Sequence, residues 1–378
     1  MKQAPKNSGV ALMIVLFSLI FMSIISYELI YASRVDLRIS ANARSRLQAW
    51  YMAQSTARLS LLRLHLYQSA RNFANKNNSA KIPTQMIDQI WSFPLPSFPL
   101  TGQVYGEDHK LPGEMNAIIR SEGSKIPINL LDGNIHRNSS EEIATQVSDE
   151  IKQMIESAQE HDDSFNSLYS SLRPEDLINP LLDWIDENTD KVEGGDELGD
   201  YDRYKPPYEP RNSRMPVITE LRMVAGWNDD LYNRFASEFS VYKNSITLNP
   251  NYISLKRLKS FHPDLDGEDL KKFEEKRREE PFGSLKEMTE WINAELPTGR
   301  GFELPFKFTS STQETIFQIE ATGIVGLARR VLRLSVRLDE KEDPQTTRPP
   351  PTQPPPEGQT QSPKQLNEPT VVGFEVIV

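Results

Sequence analysis

The 378-residue chain contains no cysteine. That excludes disulfides, thiol catalysis, cysteine-ligated zinc and a lipidated N-terminal cysteine. Histidine is scarce, with five in all, and no two stand at metalloprotease or zinc-finger spacing. Positive charge is in deficit: the formal net charge is -10. A nucleic-acid binder needs the opposite balance to displace counterions from phosphates. The GxSxG, P-loop and GxGxxG signatures are absent, so the sequence predicts no enzyme. Only one long apolar run exists, and the mean hydropathy is -0.53. Any membrane segment is therefore single and local. With 38% hydrophobic residues, the remainder can form ordinary globular cores, and the length suggests two or three compact units.

The apolar run opens at Val10 and passes through Ser26 and Tyr27 to Glu28. As a helix it spans roughly 27 Å, close to the thickness of a hydrocarbon core. Lys2 and Lys6 precede it. By the positive-inside rule the N-terminus is cytoplasmic and the rest of the chain periplasmic. Three readings compete. A secretory signal peptide would need a small-residue cleavage site after the run, and Tyr31-Ala-Ser-Arg is a poor one. A plain signal anchor fits. A prepilin leader fits as well: such leaders are cut before the apolar run, after a glycine, and Gly9 stands in that place before Val10.

The residues beyond the run favour the third reading. Between Val10 and Ile82 there is neither glycine nor proline; Pro83 comes next. The two strongest helix breakers are missing together over that stretch. Leu47, Trp50, Ala53, Ala57, Leu61 and Leu64 recur at three- and four-residue spacing, which predicts an amphipathic continuation. Arg34, Asp36, Arg38, Arg44, Arg46 and Arg58 lie largely off that stripe. One helix of about 60 residues would reach roughly 90 Å.

Further along, Trp91 to Gly102 reads as a proline-punctuated extended stretch rather than a regular element. Met115 to Leu131 reads as a strand, a turn at Glu122-Gly123-Ser124 and a second short strand. Helices are predicted from about Ser139 to Asn293, among them Glu141–Gln159, Val217–Met223, Asp229–Glu238 and Asp269–Arg278. Phe317 to Gly326 and Ala328 to Asp339 form a predicted hairpin, and Thr370 to Val378 a last strand. Lys341 to Pro369, rich in Pro, Gln, Thr and Ser, is predicted to be a disordered or polyproline loop. The sheet is thus assembled from sequence-distant strands, with a helical insertion between them.

Three features are candidate sites. Asp186, Asn188, Asp190 and Glu197 occupy the first, third, fifth and twelfth positions of an EF-hand-like loop, with Asp196 beside them. Hard oxygen ligands at that spacing suit Ca²⁺. Lys191 stands where the loop glycine belongs, so Asp183, Asp196 and Asp200 are alternative ligands in another geometry, and a solvated acidic loop is the competing reading. Ile253 to Phe273 has the outline of a helix-hairpin-helix. Its hairpin, from His262 to Asp269, holds one glycine among four acidic groups, which suits a structural helical unit and not a phosphate grip. Charges alternate from Lys271 to Glu280, as on a solvated helix face.

Ordered along the chain stand Gly9 with its helix, Ile128-Asn-Leu-Leu, Leu181-Leu-Asp-Trp-Ile-Asp186, Gly194-Gly-Asp-Glu-Leu-Gly-Asp-Tyr201, Pro206-Pro-Tyr-Glu-Pro-Arg-Asn212, Thr219 to Trp227 and Ile246-Thr-Leu-Asn-Pro-Asn251. In these stretches the sequence resembles the K-type minor pseudopilins of the type II secretion system. The resemblance runs from Gly9 to about Val336 and leaves out the proline-rich loop. It implies an α+β fold: a type IV pilin-like N-terminal helix on an antiparallel sheet, with a large inserted all-α, SAM-like domain. The units it implies are a leader (1–9), a membrane-spanning part (10–31), the periplasmic helix with the first head strands (32–130), the insertion (131–297) and the remaining strands (298–378).

The resemblance further implies cleavage between Gly9 and Val10 by prepilin peptidase, N-methylation of Val10, and Ca²⁺ in the helical domain. It implies an inner-membrane anchor and partners among the I- and J-type minor pseudopilins and the major pseudopilin. An assembly helix would carry Ile14, Glu28, Leu47 and Trp50. Cutting after Gly9 places Ile14 at the fifth mature position, where most pilin-like subunits have Glu. A carboxylate in the bilayer is costly unless it meets a cation, and a subunit at the fibre tip could dispense with it. The rival is a periplasmic Ca²⁺-binding protein or enzyme on an uncleaved anchor.

Overall fold

The computed structural model describes residues 8–76, 84–93, 95–99, 113–132, 140–338 and 369–377. The helix α1 (Ser8–Lys76) runs unbroken for 69 residues, as the lack of breakers predicts. Its first part, including Val10, Ile14 and Glu28, is exposed. This is the one described helix long and apolar enough to cross a membrane. From Ala49 onward it lies on a sheet.

Two elements follow where an irregular stretch was expected: α2 (Thr84–Ser92) and the strand β1 (Leu95–Pro99). Thr84 to Ser92 is strongly amphipathic and buries Ile87 and Trp91 against α1. The prolines that argued against a strand are tolerated because β1 is the sheet's edge, where a missing N–H costs no ladder bond. Leu100 to Gly102 lie outside the described residues.

β2 (Glu114–Ser121) pairs with β1. β3 (Ile126–Pro127) then leaves the sheet and opens the helical insertion. The insertion holds α3 (Ser140–His161), α4 (Asp163–Tyr169), α5 (Glu175–Ile185), α6 (Leu198–Tyr201), α7 (Asp229–Phe235), β4 (Phe239–Ser240), β5 (Thr247–Leu248), α8 (Leu255–Phe261), α9 (Gly267–Glu279), α10 (Leu285–Glu295) and β6 (Thr309–Ser310). Val217–Met223, expected as a helix, is a 3₁₀ stretch, Ile218–Met223. Polar N-caps start many of these helices: Asp162, Asn228, Ser254, Asp266 and Ser284 each accept from a backbone N–H in the first turn. β7 (Ile316–Val325), β8 (Ala328–Arg337) and β9 (Thr370–Ile377) complete the head sheet, in the antiparallel order β1-β2-β7-β8-β9. The β7–β8 hairpin and the return of the last strand agree with the sequence. The predicted loop lies outside the described residues up to 368.

The face of α1 that meets the sheet keeps Ala53, Ala57 and Leu64 of the expected stripe, with Trp50 and Leu61 partly packed beside them, and is wider than that stripe. Ala49, Met52, Ala53, Ala57, Leu64 and Tyr67 are buried, whereas Leu47 is 55% exposed and Trp50 half-buried. The physical reason is the width of the contact. Small residues at 49, 53 and 57 let β7 approach the helix backbone. Farther on, Tyr67 meets Phe317 and Trp91 edge-on at centroid distances of 5.7 and 6.4 Å.

The insertion has two apolar cores. One joins Ile126, Ile128 and Leu130 to α3, α4, α5 and α7. The other gathers Leu248, Ile253, Phe273, Phe282, Met288 and Phe302 around α8, α9 and α10. A buried polar layer binds them to the head. Arg257 pairs with Glu150 and donates to the Ser124 carbonyl. Buried Asn249 donates to buried Glu314 at 2.7 Å and accepts from the Asn251 N–H at 3.0 Å.

Candidate metal centre

Three buried carboxylates converge at the end of α5. Asp183 and Asp186 stand three residues apart, so they share one face as the helix ends at Ile185. Asp186 is the extended residue that closes it. Glu197 arrives from the start of α6, after a loop that turns at Gly194 and Gly195, both at positive φ. One oxygen from each of Asp183, Asp186 and Glu197 lies within 4.8 Å of the others. Apolar packing holds them there: Trp184 is buried against Tyr201, at 5.6 Å between ring centroids.

Such an arrangement is electrostatically costly on its own. Two carboxylates 4.8 Å apart repel by on the order of 3 kcal/mol at an effective dielectric near 20. Burial raises all three carboxyls, and repulsion within the trio adds to it at Asp186 and Glu197. Burial, then Asp183 and Asp132, push Asp186 up to about 6. Burial, then Asp186 and Asp183, push Glu197 up to about 7. Burial likewise raises Asp183, which a bond from the Val192 N–H at 3.0 Å partly offsets.

The oxygens also lack partners. Asp186 Oδ1 and both carboxylate oxygens of Glu197 are buried without a hydrogen bond. Buried polar atoms are ordinarily satisfied, and here the orphans are all acceptors. A hard divalent cation would satisfy them and remove the repulsion, so the donor set fits Ca²⁺.

The EF-hand register, however, does not describe this geometry. Asp186 and Glu197 come together as expected, joined by Asp183. Asn188 is exposed: it donates to Asp186 Oδ2 at 2.6 Å, and its own Oδ1 accepts from the Asp190 N–H at 2.7 Å. Asp190 and Asp196 are exposed and face each other through a backbone bridge, and Asp196 caps Leu198. Lys191, where the loop glycine belongs, pairs with Asp200 at 3.0 Å.

One contributor was missed. Asn212, at φ 48°, donates to the Asn188 carbonyl at 2.6 Å, leaves its own Oδ1 buried without a partner, and lies beside Glu197. The signal was the Pro-Arg-Asn run, read only as part of a resemblance. Gly9 and Val10 fall in the first turn of α1.

The comparisons agree with this architecture. Residues 134–244 match the family model described as "Type II secretion system (T2SS), protein K". The chain is 26% identical over 324 residues to the type II secretion system protein K of Aeromonas hydrophila, covering 82% of this chain and 88% of that one. It shares its fold with a chain of the GspK-GspI-GspJ complex from enterotoxigenic Escherichia coli, at a TM-score of 0.52 and 16% identity, over 80% of this chain and 95% of that one. The matched residues contain all three carboxylates. Over most of its length the chain is thus similar to the protein K subunits of the type II secretion system, and residues 134–244 match that family's model.

Proposed function

We propose that this chain is a K-type minor pseudopilin that stands at the tip of a periplasmic pseudopilus, in complex with I- and J-type minor pseudopilins, and supports export of folded proteins across the outer membrane. The observation that carries the reading is α1. A single helix leaves an apolar, fully exposed end for the bilayer and then becomes the spine of an antiparallel head. An apolar helix of that kind is stable only in lipid or against other helices. The solved relative that shares this fold is in complex with GspI and GspJ, which supports the choice of partners.

In this reading prepilin peptidase cuts between Gly9 and Val10, and Val10 is then N-methylated. Ile14 replaces the usual buried carboxylate, and the helix is held by its neighbours and the inner membrane. The chain does mechanical rather than catalytic work. Asp183, Asp186 and Glu197 hold Ca²⁺, supported by their unpartnered oxygens, and the ion locks the loop between α5 and α6. Mass spectrometry of the membrane-extracted N-terminus tests the assignment. A mature chain beginning at Val10 is expected, and an intact Met1 favours the uncleaved anchor. Deleting the gene should leave exoproteins in the periplasm.

A further inference from the structure

Just after α6, aromatic rings collect at the surface. Tyr204 and Tyr208 are half-buried, with ring centroids 5.1 Å apart and planes 32° from parallel. Behind Tyr208 stand the buried Trp184 and Tyr201, at 6.3 and 5.4 Å. The outer side of the pair is open to an exposed cation: the Arg203 guanidinium lies over the Tyr204 ring at 5.6 Å. Asp202 and Glu209, both exposed, flank the two tyrosines in sequence. The result is an aromatic ledge, backed by packed rings and edged by acids. Proline-rich chains in the polyproline II helix dock on aromatic surfaces of this kind.

The chain carries such a ligand itself. Outside the described residues, its sequence reads Arg348-Pro-Pro-Pro-Thr-Gln-Pro-Pro-Pro356. With three residues per turn, Pro351 and Pro354 fall on one edge of a polyproline II helix. Arg348, three residues earlier, falls on the same edge and has the charge that suits Asp202 and Glu209. The segment leaves and returns at one place, because Arg337 of β8 pairs with Thr370 of β9. The ledge is near that place. Glu375 of β9 accepts from the Thr219 hydroxyl at 3.3 Å, and the Met223 carbonyl accepts from the Tyr208 hydroxyl at 2.8 Å. Thr219 and Met223 share one 3₁₀ stretch and stand about 8 Å apart along it. By this path Tyr208 is within roughly 40 Å of Thr370. Pro351, thirteen residues after Leu338, can travel about 43 Å, and Pro354, sixteen before Thr370, about 53 Å.

We infer that the run Pro349–Pro356 of this chain docks on the Tyr204–Tyr208 ledge, with Pro351 and Pro354 against the rings and Arg348 toward Asp202 and Glu209. The run loses little freedom in docking, since proline already fixes φ. Its tether at both ends holds it near the ledge at an effective concentration of the order of millimolar. A contact too weak between separate molecules is therefore occupied within one, and the run of a second copy has no such advantage. The contact ties the last head strand to the insertion, beside the loop that carries Glu197.

The test uses the full chain in detergent. Because it has no cysteine, Met223→Cys and Thr352→Cys supply the only two thiols for spin labels. Met223 is exposed next to the ledge, and Thr352 stands between the two prolines. Double electron–electron resonance should give one short and narrow distance. A segment held only at its ends would instead give a distribution spread over about 20 Å. Tyr204→Ser/Tyr208→Ser should replace the narrow distance with the spread one. Pro351→Ser/Pro354→Ser should do the same, and it leaves the insertion itself unchanged should the tyrosine pair misfold. Arg348→Glu should weaken the narrow population, since it sets acid against acid. Pro363→Ser, outside the run, should leave the distance as it is.

A spread distribution in the otherwise wild-type chain overturns the inference. So does a narrow distance that both the tyrosine and the proline pairs leave unchanged. A narrow distance that appears when singly labelled chains are mixed also overturns it, because the run then binds a second copy. None of these outcomes touches the assembly reading, which is tested at the N-terminus.

Discussion

Gly323 of β7 lies against the backbone of Ala49: a Cβ there would stand 2.2 Å from the Ala49 carbonyl oxygen and 2.6 Å from the Ala53 nitrogen. Neither backbone atom can step aside without moving α1 off the sheet. This contact is where the spine first meets the head.

Gly323→Ala should therefore destabilise by about 1–3 kcal/mol, the usual range for overpacking, and Gly323→Val by more. Gly326, at the hairpin tip, has no atom near its Cβ position but sits at φ 58°. Gly326→Asn, which tolerates that conformation, should be near neutral. Thermal unfolding of the detergent-solubilised chain separates the two positions. Equal losses at both would contradict the close approach.

Arg257 and Glu150 form an ion pair that is 1% and 2% exposed. Arg257 also donates to the Ser124 carbonyl, so α3, α8 and the turn after β2 meet at one guanidinium. Burial raises the Glu150 carboxyl, and Arg257 opposes that rise. Removing one partner strands the other. Glu150→Ala or Arg257→Ala should cost about 3–5 kcal/mol, whereas Glu150→Leu/Arg257→Met should cost far less. Chemical denaturation of these proteins together with Glu150→Ala/Arg257→Ala closes the cycle. Additive losses would show that the pair does not act as a unit.

Much of this was legible in the sequence, and the failures share a cause. α1 was read from the absence of glycine and proline, a local property. The β7–β8 hairpin was read from alternation and its turn. The buried face of α1 was found at Ala53, Ala57 and Leu64 but not at Ala49, whose role depends on Gly323, far away in sequence. The strand at Leu95–Pro99 was missed because its edge position, which excuses its prolines, is a tertiary fact. Likewise the EF-hand spacing found Asp186 and Glu197 but not Asp183, whose place follows from the helical face of α5. It included Asp190 and Asp196, which the loop spends on its own backbone bridge.

The two ligand sets make different predictions. Glu197→Gln or Asp183→Asn should abolish the Ca²⁺-dependent rise in melting temperature. Asp190→Ala should leave it nearly intact. At a free Ca²⁺ concentration of about a hundred times Kd the rise is about 2.7 kcal/mol, or roughly 5–10 °C for a domain of this size. Loss of the effect in Asp190→Ala, with retention in Glu197→Gln, would restore the EF-hand register. Asn212→Ala should weaken Ca²⁺ binding without abolishing it, because it removes one neutral acceptor and keeps the three charges.

Acidity provides the last check, and its sign follows from the carboxyls. Asp186 is raised from 3.8 to about 6 and Glu197 from 4.5 to about 7, with Asp183 raised beside them. Between about pH 4 and 7 the metal-free folded chain therefore holds protons that the unfolded chain has released. Its stability must fall as pH rises through that window and level off above it. A shift of two units or more corresponds to on the order of 3 kcal/mol for each of Asp186 and Glu197, shared among groups that titrate together. Ca²⁺ competes with those same protons. Its stabilising effect should be small near pH 5 and full near pH 8. Melting curves in chelator and in Ca²⁺ should thus converge at acid pH and separate as it rises. In Glu197→Gln the metal-free curve should lose much of its slope. A wild-type chain whose metal-free stability rises from pH 4 to 7, or whose Ca²⁺ effect is the same at both ends, would mean that these carboxylates do not share one buried site.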